Sequence, residues 1–188
     1  NETQPIDLCA MAVNLGCSFV ARSFSGSKKQ LTAIIKAAMS HKGFALIDVI
    51  SPCVTFNNND ESLRSYGYVK DNQAELHSVG YIPHFSPVEQ VEVPAGSYRD
   101  ITLHDGSTMR LETISENHDI SDAVAALGAL HKADAEKKHV MGLLYFDGEK
   151  PSLDDDLDLH ETPIVELPEN ILRPTAAQLD NVIARLRG

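Results

Sequence analysis

The chain has 188 residues, of which 43% are hydrophobic and 23% charged, and its formal net charge is −11. This composition is typical of a globular protein that buries a core, and with only 16 Lys and Arg it excludes nucleic acid and acidic membrane surfaces as expected partners. No apolar stretch reaches the roughly 20 residues of a membrane span, and the start NETQP lacks the basic and apolar regions of a signal peptide. We therefore expect a cytoplasmic protein, and because it begins at Asn1 we expect part of a longer polypeptide.

The first third of the chain alternates helix and strand signals. Residues 5–15 have helical spacing after a candidate N-cap, Asp7, and residues 17–24 follow as a strand. Residues 28–42 predict a second amphipathic helix. The strand 44–50 is apolar at nearly every position, which is the pattern of a parallel strand covered by helices on both faces. This order predicts the second half of a doubly wound α/β fold.

The remainder of the chain has α+β character. Two alternating runs within 99–114 are joined by Asp105 and Gly106, which predicts a β-hairpin with a two-residue turn. The other predicted elements are two helices and a strand, at 121–138, 175–187 and 140–146 respectively. The last helix is amphipathic and opens with Thr175 and Gln178 at capping-box spacing. We expect the hairpin and this helix to serve packing and subunit contact.

Several polar motifs have ordinary structural explanations. The acidic run 153–159 could bind a hard cation, but it lacks the glycine-centred spacing of a calcium loop and is predicted to be a solvated segment. The Gly26–Lys28 turn before a helix could receive an anion, although it has no P-loop pattern. Seven of the eight histidines are candidate metal ligands, but they show no HxxxH or HExxH spacing and are expected to be surface or hydrogen-bonded residues. They are His77, His84, His104, His118, His131, His139 and His160.

The cysteines are three in number and include no CxxC pair, so they do not form a disulfide framework. Cys9 and Cys17 fall inside predicted elements and are expected to be core thiols. Cys53 follows Pro52 at the carboxyl end of the strand 44–50, which we expect to be the most buried strand, and this is the end where open parallel sheets bind ligands. The residues alone leave three interpretations of Cys53 open: a structural thiol, a soft-metal ligand, or a nucleophile without an obvious nearby base.

A specific sequence block distinguishes this chain from other α/β proteins. The block GFALIDVISPCVTFN occurs in order with FVAR, the FSG turn and YVKD within the first 75 residues. In these segments the chain resembles the β subunit of the 2-oxoacid:ferredoxin oxidoreductases, most closely the 2-oxoglutarate type. The resemblance implies a thiamine-diphosphate-binding fold, and it implies that Cys53 is a ligand of an iron–sulfur cluster. Thiamine diphosphate, Mg²⁺ and a [4Fe–4S] cluster are the cofactors implied for the full-length enzyme.

The sequence also departs from this family. The N-terminal CxxC region and the GDG…N motif that holds Mg²⁺ and thiamine diphosphate have no counterpart here. We therefore expect residues 1–73 to be the C-terminal part of the thiamine-diphosphate-binding domain and residues 74–188 to be a C-terminal extension. We expect no catalytic residue and no bound cofactor in this part alone, and hence no activity.

The reaction implied by the resemblance is the oxidative decarboxylation of a 2-oxoacid. Coenzyme A receives the acyl group, CO₂ is released and ferredoxin is reduced, with an α subunit as the partner. The alternative is a non-catalytic α/β interaction module that kept only the fold. A thiamine enzyme of the transketolase type would leave the SPC motif unexplained.

Overall fold

The computed structural model describes residues 5–86, 98–113 and 118–187. The chain forms two compact units, Asn1–Ser152 and Leu153–Gly188. Within the described ranges, no helix is long and apolar enough to cross a membrane. The expected boundary at residue 73 concerns the organisation of the full-length subunit and stays a prediction.

The first unit alternates helices with strands in its N-terminal third, as predicted. Its described helices are α1 (Leu8–Asn14), α2 (Lys28–Ser40), α3 (Tyr66–Asn72) and α4 (Ala123–Ala135). Its described strands are β1 (Phe19–Phe24), β2 (Ala45–Ile50), β3 (Gln73–Glu75), β4 (His77–Ile82), β5 (Tyr98–Thr102), β6 (Thr108–Thr113) and β7 (His139–Phe146). The predicted helices and strands are confirmed with small differences at their ends.

The main sheet has the strand order β2-β1-β7-β3. Strands β1 and β2 are parallel, with Phe19 opposite Ala45 and Phe24 opposite Ile50. Strand β7 is antiparallel to β1, and β3 is parallel to β7. The α/β fold class is confirmed, with one antiparallel pair, β1–β7, so that β7 and β3 run opposite to β1 and β2.

Strand β1, rather than β2, is the most buried strand of this sheet. All six residues of β1 are buried, whereas β2 lies at the sheet edge and is half-buried. The sequence prediction that β2 is the most buried strand is therefore wrong. An unbroken apolar run indicates that helices cover both faces, but it carries no information about neighbours in the hydrogen-bonding direction.

Two hydrophobic cores lie on opposite faces of the main sheet. Phe19 and Ala21 of β1 pack with Ile34 of α2 in one cluster. Val20, between them in the sequence, packs with Cys9 of α1 in the other cluster, which also includes α4. Because successive side chains of a strand point to opposite faces, β1 separates the two cores.

A second sheet with the order β4-β6-β5 packs its apolar side chains into the α2 core. The predicted hairpin is confirmed as β5 and β6, although Ile114 lies outside the described residues. Its turn is wider than predicted, because the Leu103 amide bonds to the Ser107 carbonyl and leaves three residues in the loop. A two-residue type I′ turn needs positive φ at both central residues, and only Gly106 has it, at 79°.

Three elements of the first unit, α3, β3 and β4, were not predicted. Helix α3 occupies a segment interpreted as polar, and its N-cap Ser65 accepts a hydrogen bond from the Tyr68 amide. Strand β4 begins just before the Pro-rich segment 79–97, of which residues 87–97 lie outside the described structure. All three elements, including the three-residue strand β3, are short, so their periodicity gives little signal.

The second unit consists of short helices and irregular segments. Its described elements are α5 (Leu153–Asp156), a 3-10 helix (Ile164–Glu166), α6 (Glu169–Leu172) and α7 (Ala176–Arg187). The predicted capping box at α7 is confirmed: the Thr175 amide donates to Gln178 Oε1 at 2.8 Å, and the Gln178 amide donates to Thr175 Oγ1 at 3.3 Å. The acidic segment 153–159 is exposed, as predicted.

Candidate functional site

Cys53 lies in the loop that leaves the carboxyl end of β2. The loop after β1 leaves the sheet at the same edge, because the two strands are parallel and the Ser25 amide donates to the Ile50 carbonyl at 3.0 Å. The thiol is exposed, and its neighbours Val54 and Phe56 also expose most of their side chains. The expected position of Cys53 at this edge of the sheet therefore holds, and its side chain is accessible from outside.

A tight turn fixes the backbone around this thiol. The Asn57 amide donates to the Cys53 carbonyl at 2.9 Å, which closes the turn over residues 53–57. The backbone N–H groups of Phe56 and Thr55 donate toward the thiol sulfur and lower the pKa of Cys53. Amide donors stabilise the thiolate, which is the form that binds metals or acts as a nucleophile.

The other two cysteines are unsuited to this chemistry. Cys9 and Cys17 are buried, as expected for core positions. Burial raises the pKa of Cys9 to about 12 and also raises the pKa of Cys17. Cys17 Sγ lies 3.0 Å from the Phe44 carbonyl oxygen, so this thiol serves as a donor within the core. Cys53 thus differs from both in exposure and in acidity.

The glycine of the FSG turn shapes the chain next to the Cys53 edge. A Cβ at Gly26 would overlap the Phe24 ring and the Tyr66 hydroxyl. The Phe24 and Tyr66 rings pack with their centroids 4.8 Å apart. Gly26 is therefore required for the close approach of this turn to the start of α3.

A cavity of about 360 Å³ opens beside this turn, at the N-terminal end of α2. Its lining includes Ser27, Lys28 and Lys29 from the helix start and Gly80 from β4. Ser27 is the N-cap residue, and its side chain makes no capping hydrogen bond. The structure therefore shows an ordinary N-terminal helix turn at Gly26–Lys28, which is the explanation that the sequence favoured over an anion site.

A larger cavity, of about 550 Å³, is lined by residues of the β5–β6 loop and of the segment after β7. Two of its polar side chains have protein partners: His104 Nδ1 accepts a hydrogen bond from the Lys42 amide at 2.8 Å, and Arg99 lies 3.6 Å from Asp119. No cysteine lines it. We therefore assign the candidate site to the Cys53 loop.

The predicted histidines do not converge on Cys53. Within the described residues there is no group of three or more His, Cys, Asp or Glu that could hold a metal ion. His118, His139 and His104 have hydrogen-bonding partners, as the sequence indicated. His77 differs, because it is buried and its Nε2 has no hydrogen-bonding partner.

Sequence reasoning missed a buried ion-pair network beneath the site. Arg22 on β1 donates from Nε to Asp48 of β2 at 2.8 Å and from Nη2 to Asp7 at 2.9 Å. Asp7 is also the N-cap of α1 and accepts the Ala10 amide. Burial disfavours the charged guanidinium, but the nearby Cys9, Asp7 and Asp48 outweigh it and raise the pKa of Arg22. The sequence signal that could have revealed this network is a single charged residue in each of two apolar strands, Arg22 in β1 and Asp48 in β2.

The residues present fit the implied cofactors only in part. An exposed, rigidly held thiolate suits one ligand position of an iron–sulfur cluster, which takes about four protein ligands. The sequence contains no GDG…N motif for Mg²⁺ and a diphosphate, so this chain alone does not fit thiamine diphosphate.

Comparison with known proteins agrees with the sequence resemblance. The family model described as thiamine pyrophosphate enzyme, C-terminal TPP binding domain, matches residues 1–49. The chain is 45% identical over 58 residues to the β subunit of a 2-oxoacid:ferredoxin oxidoreductase from Saccharolobus solfataricus. The resemblance to these β subunits is confirmed. A 2-oxoglutarate synthase subunit KorB from Methanocaldococcus jannaschii is 36% identical over 76 residues.

These matches cover limited parts of each chain. The segment shared with the Saccharolobus subunit spans 31% of this chain and 19% of that subunit, and the Methanocaldococcus match spans 38% and 28%. A 2-oxoglutarate:ferredoxin oxidoreductase from Magnetococcus marinus, solved with 2-oxoglutarate, coenzyme A and succinyl-CoA bound, matches in structure with a TM-score of 0.57. That match covers 98% of this chain and 45% of the other, at 23% identity, and it shows a common fold.

Proposed function

We propose that this chain is part of the β subunit of a 2-oxoacid:ferredoxin oxidoreductase that uses thiamine diphosphate, Mg²⁺ and a [4Fe–4S] cluster. The full-length enzyme decarboxylates a 2-oxoacid oxidatively, transfers the acyl group to coenzyme A and reduces ferredoxin. We further propose 2-oxoglutarate as the substrate, supported by the Methanocaldococcus subunit named 2-oxoglutarate synthase. An α subunit is the assembly partner, and the location is cytoplasmic.

The proposal rests on the exposure and the lowered pKa of the Cys53 thiol. Its thiol is exposed at the edge of the sheet where β1 and β2 end, and two backbone amides lower its pKa. A buried structural thiol needs neither feature. A catalytic nucleophile would need a neighbouring base, whereas the groups that lower the pKa of Cys53 are the amides of Phe56 and Thr55 and the Thr55 side chain. A metal-ligand role agrees best with these contacts.

Cys53 would hold one iron of the cluster. Hydrogen bonds from backbone amides to a ligating thiolate tune the reduction potential of an iron–sulfur cluster. The cluster would supply one-electron transfer to ferredoxin. Pro52 is half-buried and cannot extend the strand, so the turn holds the thiol at the end of β2. The remaining ligands come from the part of the subunit that carries the family's other cysteines.

The isolated chain is expected to bind neither cofactor and to lack turnover. One thiolate cannot hold a four-iron cluster, and a diphosphate without its Mg²⁺ bridge has no anchor here. We place the boundary between the thiamine-diphosphate-binding domain and the C-terminal extension after residue 73. The hairpin β5–β6 and helix α7 serve packing and subunit contact rather than chemistry.

The experiment that tests the function compares substrates in the assembled enzyme. The full-length β subunit is coexpressed with its α subunit, and ferredoxin reduction is followed anaerobically with 2-oxoglutarate, pyruvate or a branched-chain 2-oxoacid. We expect reduction that requires coenzyme A and is fastest with 2-oxoglutarate. Activity with a different 2-oxoacid would correct the substrate, and no activity with any of them would favour the non-catalytic interaction module.

A further inference from the structure

The turn that carries Cys53 is held by hydrogen bonds rather than by packing. Residues 53–61 are all exposed, so burial of their side chains does little to order them. The Asn57 amide closes the turn on the Cys53 carbonyl at 2.9 Å. Inside the turn, the backbone N–H groups of Thr55 and Phe56 donate toward the Cys53 sulfur. The place of this turn relative to the sheet therefore depends on the contacts that anchor its end.

Asn58, which directly follows the turn, supplies such an anchor. Its side-chain Oδ1 accepts a hydrogen bond from the Tyr66 amide at 3.0 Å. Tyr66 is the first residue of α3, so its amide has no acceptor within the helix. The N-cap residue Ser65 accepts from the Tyr68 amide instead. The first turn of α3 therefore has two side-chain caps, one from its own N-cap and one from the Cys53 loop.

Helix α3 is itself fixed to the main sheet. Val69 is fully buried in a cluster with Phe24 of β1 and Met141 of β7. The Tyr66 ring packs against Phe24, with the ring centroids 4.8 Å apart. Because the donor to Asn58 belongs to this helix, the hydrogen bond connects the exposed turn to a buried part of the sheet.

We propose that Asn58 is a positioning residue for Cys53: by capping α3 it fixes the turn, and with it the Cys53 sulfur, at the edge where β1 and β2 end. The next residue, Asn59, has a different role, because its Oδ1 accepts the Glu61 amide within the loop itself. The inference rests on the proposed function, in which the sulfur binds an iron–sulfur cluster. A fixed turn keeps the amide donors on this sulfur, and such hydrogen bonds influence the reduction potential of a cluster.

The first test measures the order of the turn in the 188-residue chain, which needs no cofactor. A nitroxide label is attached to the exposed Cys53, and the width of its electron paramagnetic resonance lines reports the mobility of the turn. We expect a more mobile label in Asn58→Ala. Exchange of the Tyr66 amide should become about five-fold faster, because this amide loses its acceptor. Asn59→Ala is the matched control and should leave both measurements unchanged.

Asn58→Asp tests the hydrogen bond itself. The carboxylate keeps an acceptor oxygen at the same position and suits a helix N-terminus, so label mobility and Tyr66 exchange should equal those of the wild type. The melting temperature of each variant is measured alongside to show that it is folded. A label in Asn58→Ala that is as immobile as in the wild type would overturn the proposal. Equal mobilisation by Asn59→Ala or by Asn58→Asp would overturn it as well.

The second test uses the full-length subunit with its cluster. A redox titration should give a lower midpoint potential for Asn58→Ala than for the wild type and Asn59→Ala. The reason is that the amide donors that stabilise the reduced cluster are no longer fixed on the Cys53 sulfur. A wild-type midpoint potential in Asn58→Ala would overturn the positioning role alone. A wild-type subunit without a cluster, combined with a mobile turn in Asn58→Ala, would overturn the proposed function alone.

Discussion

Arg22 and Asp48 are register partners across the parallel pair β1–β2, and Arg22 Nε donates to Asp48 Oδ2 at 2.8 Å. The same guanidinium holds Asp7, the N-cap of α1, at 2.9 Å. One buried cation therefore joins the two strands that end at the Cys53 edge to the helix that covers them. The network ties the candidate site to the α1 core.

Replacing Arg22 by Met should destabilise the first unit by about 3 kcal/mol, because two partly buried carboxylates then lose their counter-charge. Urea unfolding followed by circular dichroism measures the change. Lys138→Met is the matched control: Lys138 pairs with Glu136 at 2.8 Å on the surface, and exposed pairs contribute less than about 1 kcal/mol. Equal effects of the two substitutions would show that the Arg22 network does not stabilise the strand pair.

Gly26→Ala should lower the melting temperature, because the added Cβ overlaps Phe24 and Tyr66. Gly128→Ala provides the opposite case: nothing lies within 4 Å of its added Cβ on helix α4, and Ala favours a helix by about 1 kcal/mol. Differential scanning calorimetry should therefore show shifts of opposite sign. An unchanged melting temperature in Gly26→Ala would mean that this turn accommodates the added Cβ without loss of stability.

The three thiols should differ in reactivity. In the folded chain at pH 7, one thiol should react rapidly with a disulfide reagent, because Cys53 is exposed with a lowered pKa while Cys9 and Cys17 are buried. All three should react in guanidinium chloride, and Cys53→Ser should abolish the fast reaction. Fast labelling of Cys9 or Cys17 in the folded chain, located by peptide mass spectrometry, would contradict the described core.

Stability should fall between pH 7 and pH 5 because of His77. Burial, with His118 and Arg99 nearby, lowers the pKa of His77 to about 4, whereas the unfolded chain titrates near 6.5. Between these values the unfolded chain binds a proton that the folded chain does not, so acidification favours unfolding, by about 2 kcal/mol at pH 5 for this one group. The loss should level off below pH 4.

His77→Phe separates this contribution from those of other groups. Burial also lowers the pKa of His41, so part of the pH dependence should remain in the variant. Urea unfolding at pH 7 and pH 5 should show a smaller difference for His77→Phe than for wild type. The exposed His131→Gln should leave the difference unchanged, and an unchanged difference in His77→Phe would refute the assignment.

The sequence predicts the elements of the first unit well where periodicity is long, as in α2 and α4. It does not reveal which neighbours a strand has, so β2 was expected to be the most buried strand, whereas it lies at the sheet edge and is half-buried. The antiparallel insertion of β7 beside β1 is equally invisible, since pairing depends on contacts distant in the chain. Strand pairing is decided by tertiary packing rather than by local pattern.

The candidate site shows the same division between local and distant information. Local sequence placed Cys53 at the carboxyl end of a strand, because Pro52 and the polar residues after it stop the apolar run. The amide donors of Thr55 and Phe56 depend on backbone conformation, and the Arg22 network joins residues far apart in sequence. Neither of these features has a signature in sequence spacing.

The central claim is that Cys53 is a cluster ligand, and anaerobic iron and sulfide analysis with electron paramagnetic resonance tests it most directly. The full-length subunit is compared with its Cys53→Ala variant and, as a control at a core thiol, with Cys17→Ala. We predict that Cys53→Ala loses most of its iron, sulfide and reduced-cluster signal, while Cys17→Ala retains them. An intact, normally reducible cluster in Cys53→Ala would contradict the assignment and leave Cys53 as an exposed thiol without a ligand role.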